Sequence, residues 1–330
     1  MVRTGAHAYL KYGFETAFAT ISAATDINKK FGLQDKLSSW SLTNNKTDLN
    51  KLNQNTVDKY AYGQEAGSMS VGFTLSNPWV FGTVLGTPSK STGSSPFEYT
   101  YPHATTGLPK SPRTIQVEVG FDGATADIVR TAKGCLVNSF SISTAIGGLV
   151  ECTADITYGK ESAPSPSLNA VPALPSVEFP YTFAHAELTV GGAVVAQCQD
   201  ANINIAQNTE LLYGLNSHQA VDSFRRVLSM TGSFRASLIN KTLFEKVLEQ
   251  IKAGSSSGTY SETVGGSPEF KLTFIKNNTN EKIEVTMTGL GINDYSVSGI
   301  EPVEPIFEEI NWTAKTISVV ATSTMTSEDN

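Results

Sequence analysis

The sequence predicts a mainly β chain built from two tandem duplicated domains, each with a short flanking α-helix. Three observations lead there. The block Gly134 to Ser143 (GCLVNSFSIS) returns 155 residues later as Gly289 to Ser298 (GLGINDYSVS), with Gly, Asn, Ser and Ser held at matching places. The stretch Ser68 to Leu85 returns as Ser229 to Leu248, with Met69 and Phe73 answering Met230 and Phe234. Both blocks alternate apolar with small polar residues, the period of a half-buried strand, and two matches in one order are hard to obtain by chance.

The elements follow in chain order. Residues 1–38 read as an N-terminal arm, 39–160 as the first domain, 161–180 as a linker, 181–322 as the second domain and 323–330 as a tail. A strand is expected from Leu37, where Trp40 and Leu42 alternate with Ser and Thr. Asn44 to Ala66 then forms a polar excursion longer than most connections in compact domains. A strand from Ser68 runs into Asn77, a helix N-cap residue type, and then into apolar residues at helical spacing. Gln116 to Phe121 and Phe270 to Ile275 read as the strands before each repeated block. Leu149 to Gly159 and Pro305 to Thr313 alternate cleanly behind it, with Asp155 and Glu309 at equivalent places on the polar side. The second half carries its own long excursion, Gln207 to Val227, and five prolines between Glu161 and Pro180 make the linker extended. One more strand is expected at Ile317 to Ala321.

A chain of 330 residues suits two domains of ordinary size. Its formal charge of -7, with no basic run longer than Arg225-Arg226, excludes a protein that grips nucleic acid, since that affinity comes from cations on phosphates. Three cysteines, Cys135, Cys152 and Cys198, match neither a metal motif nor a disulfide framework, so buried thiols in a reducing cytoplasm are expected. Lys11 and Glu15 interrupt any apolar run near Met1, which argues against a signal peptide, and no membrane-spanning stretch occurs.

Catalysis by nucleophile or acid–base pair has no motif to stand on. The four histidines, His7, His103, His185 and His218, lie in no recognisable arrangement, and phosphate-loop, zinc and serine-hydrolase signatures are missing. Glu301, Glu304, Glu308 and Glu309 could suggest a cation site, but Pro302 and Pro305 hold that segment extended where a hard ion needs converging oxygens. No enzyme activity, cofactor or metal is therefore expected.

The runs Phe31 to Asn45 (FGLQDKLSSWSLTNN), Tyr60 to Gln64 (YAYGQ), Ser68 to Trp79 (SMSVGFTLSNPW) and Arg130 to Ser143 (RTAKGCLVNSFSIS) resemble the tail tube proteins of tailed bacteriophages and related viruses. The resemblance is best over residues 31–160. It implies a β-sandwich or half-barrel domain with a small helix, in a virion protein whose rings stack into a hollow tube for double-stranded DNA. Two fused copies further imply trimeric rings with pseudo-sixfold symmetry, assembled in the host cytoplasm, with other tail proteins at the tube ends and no membrane partner.

On that footing the two excursions are candidates for contacts between rings, through Asn50, Leu52, Val57 and Tyr60 in the first and Leu212, Tyr213 and Phe224 in the second. The polar faces of the alternating strands are candidates for the lumen wall, through Glu151, Asp155, Thr157, Glu309 and Asn311. Acidic and hydroxyl groups there leave DNA free to slide. The competing reading is a carbohydrate-binding or adhesin-like β-sandwich, with Trp79, Tyr99 and Tyr101 as a stacking platform.

Overall fold

A computed structural model describes residues 8–21, 23, 26–50, 56–102, 113–123, 126–169, 179–195, 198–238, 269–276, 280–301 and 305–325. The chain is mainly β, as expected. The first half contributes β1 (Ala8–Phe14), β2 (Leu33–Asn44), β3 (Thr47–Leu49), β4 (Lys59–Ala61), β5 (Glu65–Thr74), α1 (Phe81–Leu85), β6 (Ser89–Lys90), β7 (Phe97–Pro102), β8 (Ile115–Phe121), β9 (Ile128–Ala145) and β10 (Glu151–Glu161). The second contributes β11 (Ala186–Val190), β12 (Ala193–Val194), β13 (Cys198–Ala206), β14 (Thr209–Tyr213), β15 (Ala220–Arg225), β16 (Ser229–Ser237), β17 (Phe270–Ile275), β18 (Lys282–Thr288), β19 (Gly291–Ser298), β20 (Phe307–Ala314) and β21 (Thr316–Ser323).

Two large antiparallel sheets carry the fold. The first runs β19-β20-β16-β13-β9-β10-β5-β2, with β8 joined to β9 and β1 to β8; the second runs β12-β11-β17-β18-β21-β7-β6. Both cross between the sequence halves, at β13 against β9 and at β21 against β7. The reason is visible in the side chains. Cys152, Ala154, Ile156 and Tyr158 of β10 are buried while Glu151, Thr153 and Asp155 face out, so one side of the first sheet must be covered. The second sheet covers it: Phe81 packs edge-on to Phe140 and also meets Tyr101, and Phe270 packs against Phe234 and Trp312. One continuous apolar cluster spans both halves.

Local details sharpen the sequence reading. Residues 8–14, placed in the N-terminal arm, form β1 and pair with β8 along its whole length. Both long excursions hold small hairpins, β3–β4 and β14–β15. The helix α1 begins later than expected: Asn77 accepts a hydrogen bond from the Trp79 amide at 3.2 Å, tying the turn that precedes Phe81. The helix expected in the second half falls within 239–268, outside the described residues.

Candidate assembly surfaces

The eight-strand path divides into two runs of equal order, β19-β20-β16-β13 and β9-β10-β5-β2. Two features set their relative register. Gly134 and Gly289, 155 residues apart, both take a positive φ, +61° and +67°, a conformation that suits glycine. Asn138 and Asn293, also 155 apart, are each skipped at a bulge in the pairing of β9 with β10 and of β19 with β20. Counted from these bulges, Ser139 opposite Asp155 answers Asp294 opposite Asn311. Asp155 is thus level with Asn311, and Glu309 with Thr153, two residues from the equivalence that sequence suggests. Carried across the sheet, the same register sets Leu37, Trp40 and Leu42 of β2 level with Ala201, Ile203 and Ile205 of β13.

Matching strands then differ in surroundings. At the junction inside the chain, Ile205 lies opposite Phe140 and Ile203 opposite Ile142, all four buried. The matching residues stand on the two outermost strands of the path. Leu42 of β2 is 46% exposed, and Val297 of β19, the match of Ile142, is 36% exposed. Ile300, just beyond β19, is 75% exposed. Trp40 is partly covered because a cluster reaches over from β9 and β10. The Arg130 guanidinium grips the Glu161 carboxylate at 2.6 and 2.9 Å, and the Trp40 indole donates to it at 3.3 Å. Tyr158 donates to Glu161 and to the Ser41 carbonyl. Burial alone would raise the Glu161 pKa, but the bonds from Arg130, Trp40 and Tyr158 hold it below the usual carboxylate range.

The polar side of the first sheet collects the other predicted residues. Glu151, Asp155 and Glu309 are exposed, and Thr157 and Asn311 half-exposed. Asp155 accepts hydrogen bonds from Ser70 and Ser139, both at 2.7 Å, so its carboxylate is fixed between hydroxyls of the flanking strands. Glu309 lies opposite Arg235, and Asp200 nearby is pushed up by burial and by Glu309 while Arg235 pulls it back. The alternation of β20 sends Glu308 the other way, into the interior beneath the Tyr295 hydroxyl. Glu308 and Glu309 therefore do not converge on an ion; Glu304 lies outside the described residues.

Among the excursion candidates, Asn50, Val57 and Tyr60 are exposed around β3–β4, and Leu52 lies outside the described residues. Leu212 and Phe224 are exposed on β14–β15. Tyr213 points elsewhere: its hydroxyl donates to the Glu65 carbonyl at 2.6 Å, while the Glu65 amide donates to the His218 carbonyl at 2.8 Å. The second hairpin therefore sits on the first half of its own chain. Sequence reasoning did not single out Asn138, whose Oδ1 accepts from both the amide and the hydroxyl of Thr209, at 3.0 and 3.1 Å, at the foot of this hairpin. Its recurrence as Asn293 in the repeated block was the available signal.

The platform expected of a glycan binder is overturned. Trp79, Tyr99 and Tyr101 are all buried, with Trp79 edge-on to Tyr99 at 4.9 Å between ring centroids, so no flat face is open to a sugar. Cys135 and Cys152 are buried and Cys198 is half-buried; burial raises the pKa of all three thiols, that of Cys198 to about 12. His185 bonds the Thr182 hydroxyl and His218 the Gly63 carbonyl.

Comparison with curated proteins found no match. A family model described as phage tail tube protein matches residues 5–314, nearly the whole chain. With that span matched, the chain belongs to the phage tail tube protein family, structural proteins of the virion tail that associate with one another and with other tail proteins.

Proposed function

We propose that the chain is a double-module tube subunit, two fused copies of one sheet unit, which closes into rings by pairing β2 of one copy with β19 of the next. The observation that carries this reading is the β13–β9 junction. It is the contact that two modules make when they lie side by side, already present once in each chain. Repeating it between chains sets Trp40 against Val297, Leu42 against Tyr295 and Ser41 against Ser296. Covering apolar side chains left half-exposed contributes about 25 cal/mol per Å² removed from water, and the unpaired edge is satisfied at the same time. Three chains then complete six modules, a trimer with pseudo-sixfold symmetry.

In that ring the polar side of the first sheet faces the lumen. Its serines, threonines, Asp155 and Glu309 offer passing duplex DNA hydrogen-bonding groups and negative charge, and Arg235 stands opposite an acid. DNA, with one charge per about 1.7 Å of axis, is not held there. The tips of the excursions remain for the neighbouring ring, with Leu215 at the end of β14–β15 fully exposed. Assembly in the host cytoplasm suits three reduced thiols.

The test is a Ser41→Cys/Ser296→Cys double variant, oxidised after assembly, with the particles viewed end-on. Directly opposite residues of paired strands bring Cβ atoms within about 4.5–5.5 Å, close to disulfide reach. The expected products are dimers and trimers of the chain, from stacked rings with three copies each. A chain that stays monomeric at high concentration, or rings with no cross-link, would remove edge pairing. Rings with another number of copies would remove the trimer. The lumen assignment is checked separately: Asp155→Lys with Glu309→Lys should leave rings intact and retard DNA passage, and unaltered passage would take those residues off the wall.

A further inference from the structure

We infer that the β3–β4 hairpin of one chain docks sideways onto the neighbouring copy in the same ring, with Thr47 seated on Asn293 of that second copy. The inference rests on the β2–β19 pairing proposed above and goes beyond it by naming a second contact and its two residues. The argument comes from the other hairpin. β14–β15 grows from the end of β13, leans over the first module, and is pinned there by Asn138, whose Oδ1 receives the amide and hydroxyl of Thr209. Asn138 stands at this point because the bulge leaves it without a partner on β10, between Val137 and Ser139. Thr209 is the first residue of β14.

Both residue types of that clasp recur in the exposed set, the threonine one position further along: the register sets Lys46 level with Thr209, and Thr47 follows it. Asn293 is the bulged residue of β19 as Asn138 is of β9, and it is exposed. Thr47 is the first residue of β3 and is exposed too. The hairpins are also tied at their bases in related ways. Asn44 Oδ1 accepts from the Gly63 amide at 3.2 Å, and Asn208 Nδ2 donates to the Val227 carbonyl at 2.9 Å. If β2 lies beside a neighbour's β19 as β13 lies beside β9, the β3–β4 hairpin leaves β2 at the level of the neighbour's bulge. The occupant is a second copy because within one chain β2 and β19 stand at opposite ends of the eight-strand path. At roughly 4.8 Å per strand, that separation is well beyond side-chain reach.

Three oxidised double variants of the full chain test the inference. Asn138→Cys/Thr209→Cys should close inside one chain and run as a monomer, calibrating the geometry. Thr47→Cys/Asn293→Cys should give chain-to-chain products matching those of Ser41→Cys/Ser296→Cys. A ladder from the Ser pair without one from Thr47/Asn293 overturns the clasp and leaves edge pairing standing. Failure of both overturns both. As a second measure, Asn293→Ala should raise the concentration needed for assembly about 5-fold, the size expected for a hydrogen bond or two, without moving the melting temperature of the unassembled chain. An unchanged assembly threshold counts against the clasp.

Discussion

The strand β9 and the strand β19 come from the same repeated block, yet one is in the middle of a sheet and the other on its rim. Phe140 and Ile142 of β9 are buried with β13 paired beside them, whereas Tyr295 and Val297 of β19 have no strand on that side in the described chain. The same holds on the other flank, where Ile203 and Ile205 of β13 are buried and Leu42 of β2 is not. Equal sequence patterns thus acquire unequal environments from position alone. A soluble single-chain protein would be expected to protect such a rim with charge, proline or a covering loop; here the rim instead keeps the apolar alternation of its buried counterpart. That retention supports the edge pairing proposed for β2 and β19.

The sharpest way to break the comparison is to place one substitution at both positions. Ile142→Asp puts a carboxylate into a fully packed site and should cost roughly 4 kcal/mol or more, preventing folding or lowering the melting temperature far below that of the parent. Val297→Asp, 155 residues on, should change the chain's own stability by less than about 1 kcal/mol, since the site is part-open, and should abolish ring formation. Thermal melts and sedimentation of the two variants provide the check. Equal damage to folding from both would mean that β19 is already covered, and equal tolerance would mean that the β13–β9 junction is not a structural requirement.

A smaller asymmetry separates the two positive-φ glycines. Any side chain at either one pays about 1–2 kcal/mol for the left-handed conformation. At Gly134 an added Cβ would also lie 2.5 Å from the ring of Phe18, which wedges against Gly159 as well. At Gly289 it would lie 2.8 Å from the Cβ of Lys315, an atom fixed to the backbone, so the chain itself must move. Gly289→Ala should therefore destabilise the chain by roughly 3 kcal/mol and Gly134→Ala, where the tip of a half-buried ring can turn aside, by less, read from denaturant midpoints. A reversed order would show that the backbone at Lys315 yields more easily than the Phe18 ring.

Much of this was legible in the sequence, and the limits have physical causes. Alternation located β9, β10, β20 and β21, because one face of each is core and the other polar. The arm hid β1: Lys11 interrupts its apolar pattern, but that lysine is buried against Glu118 at 3.1 Å. The first hairpin was missed as strands because Thr47–Leu49 and Lys59–Ala61 are exposed on every residue and so carry no period. The two-residue shift that aligns Asp155 with Asn311 comes from pairing register: both copies carry the bulge at the same place, and the chain between bulge and facing residue is one residue longer in the second copy, which alternation alone does not reveal. Trp79, Tyr99 and Tyr101 suggested a platform, since aromatic residues read alike whether they fill a core or line a site. The pairing of β13 with β9 depends on which edge is free nearby, and no local pattern encodes that.

The last difference between rim and junction is the brace over β2. β13 is held on both sides by strands, while β2, among the described residues, pairs with β5 alone and leans on the Arg130, Glu161, Trp40 and Tyr158 cluster. The Glu161 pKa lies below its ordinary value, so the brace contributes fully above the unfolded-state carboxylate pKa near 4.3 and is lost as pH falls through the lower folded value. Glu161→Gln removes the charge-assisted pair with Arg130 and should cost about 1 kcal/mol at neutral pH, with a change in Trp40 emission and little change elsewhere. As pH falls below about 4.3 the parent should lose that margin while the Gln variant, already without it, should show a correspondingly flatter decline. Parallel pH profiles for the two proteins would mean that Glu161 does not hold β2 in place, and that its pairing with β5 suffices.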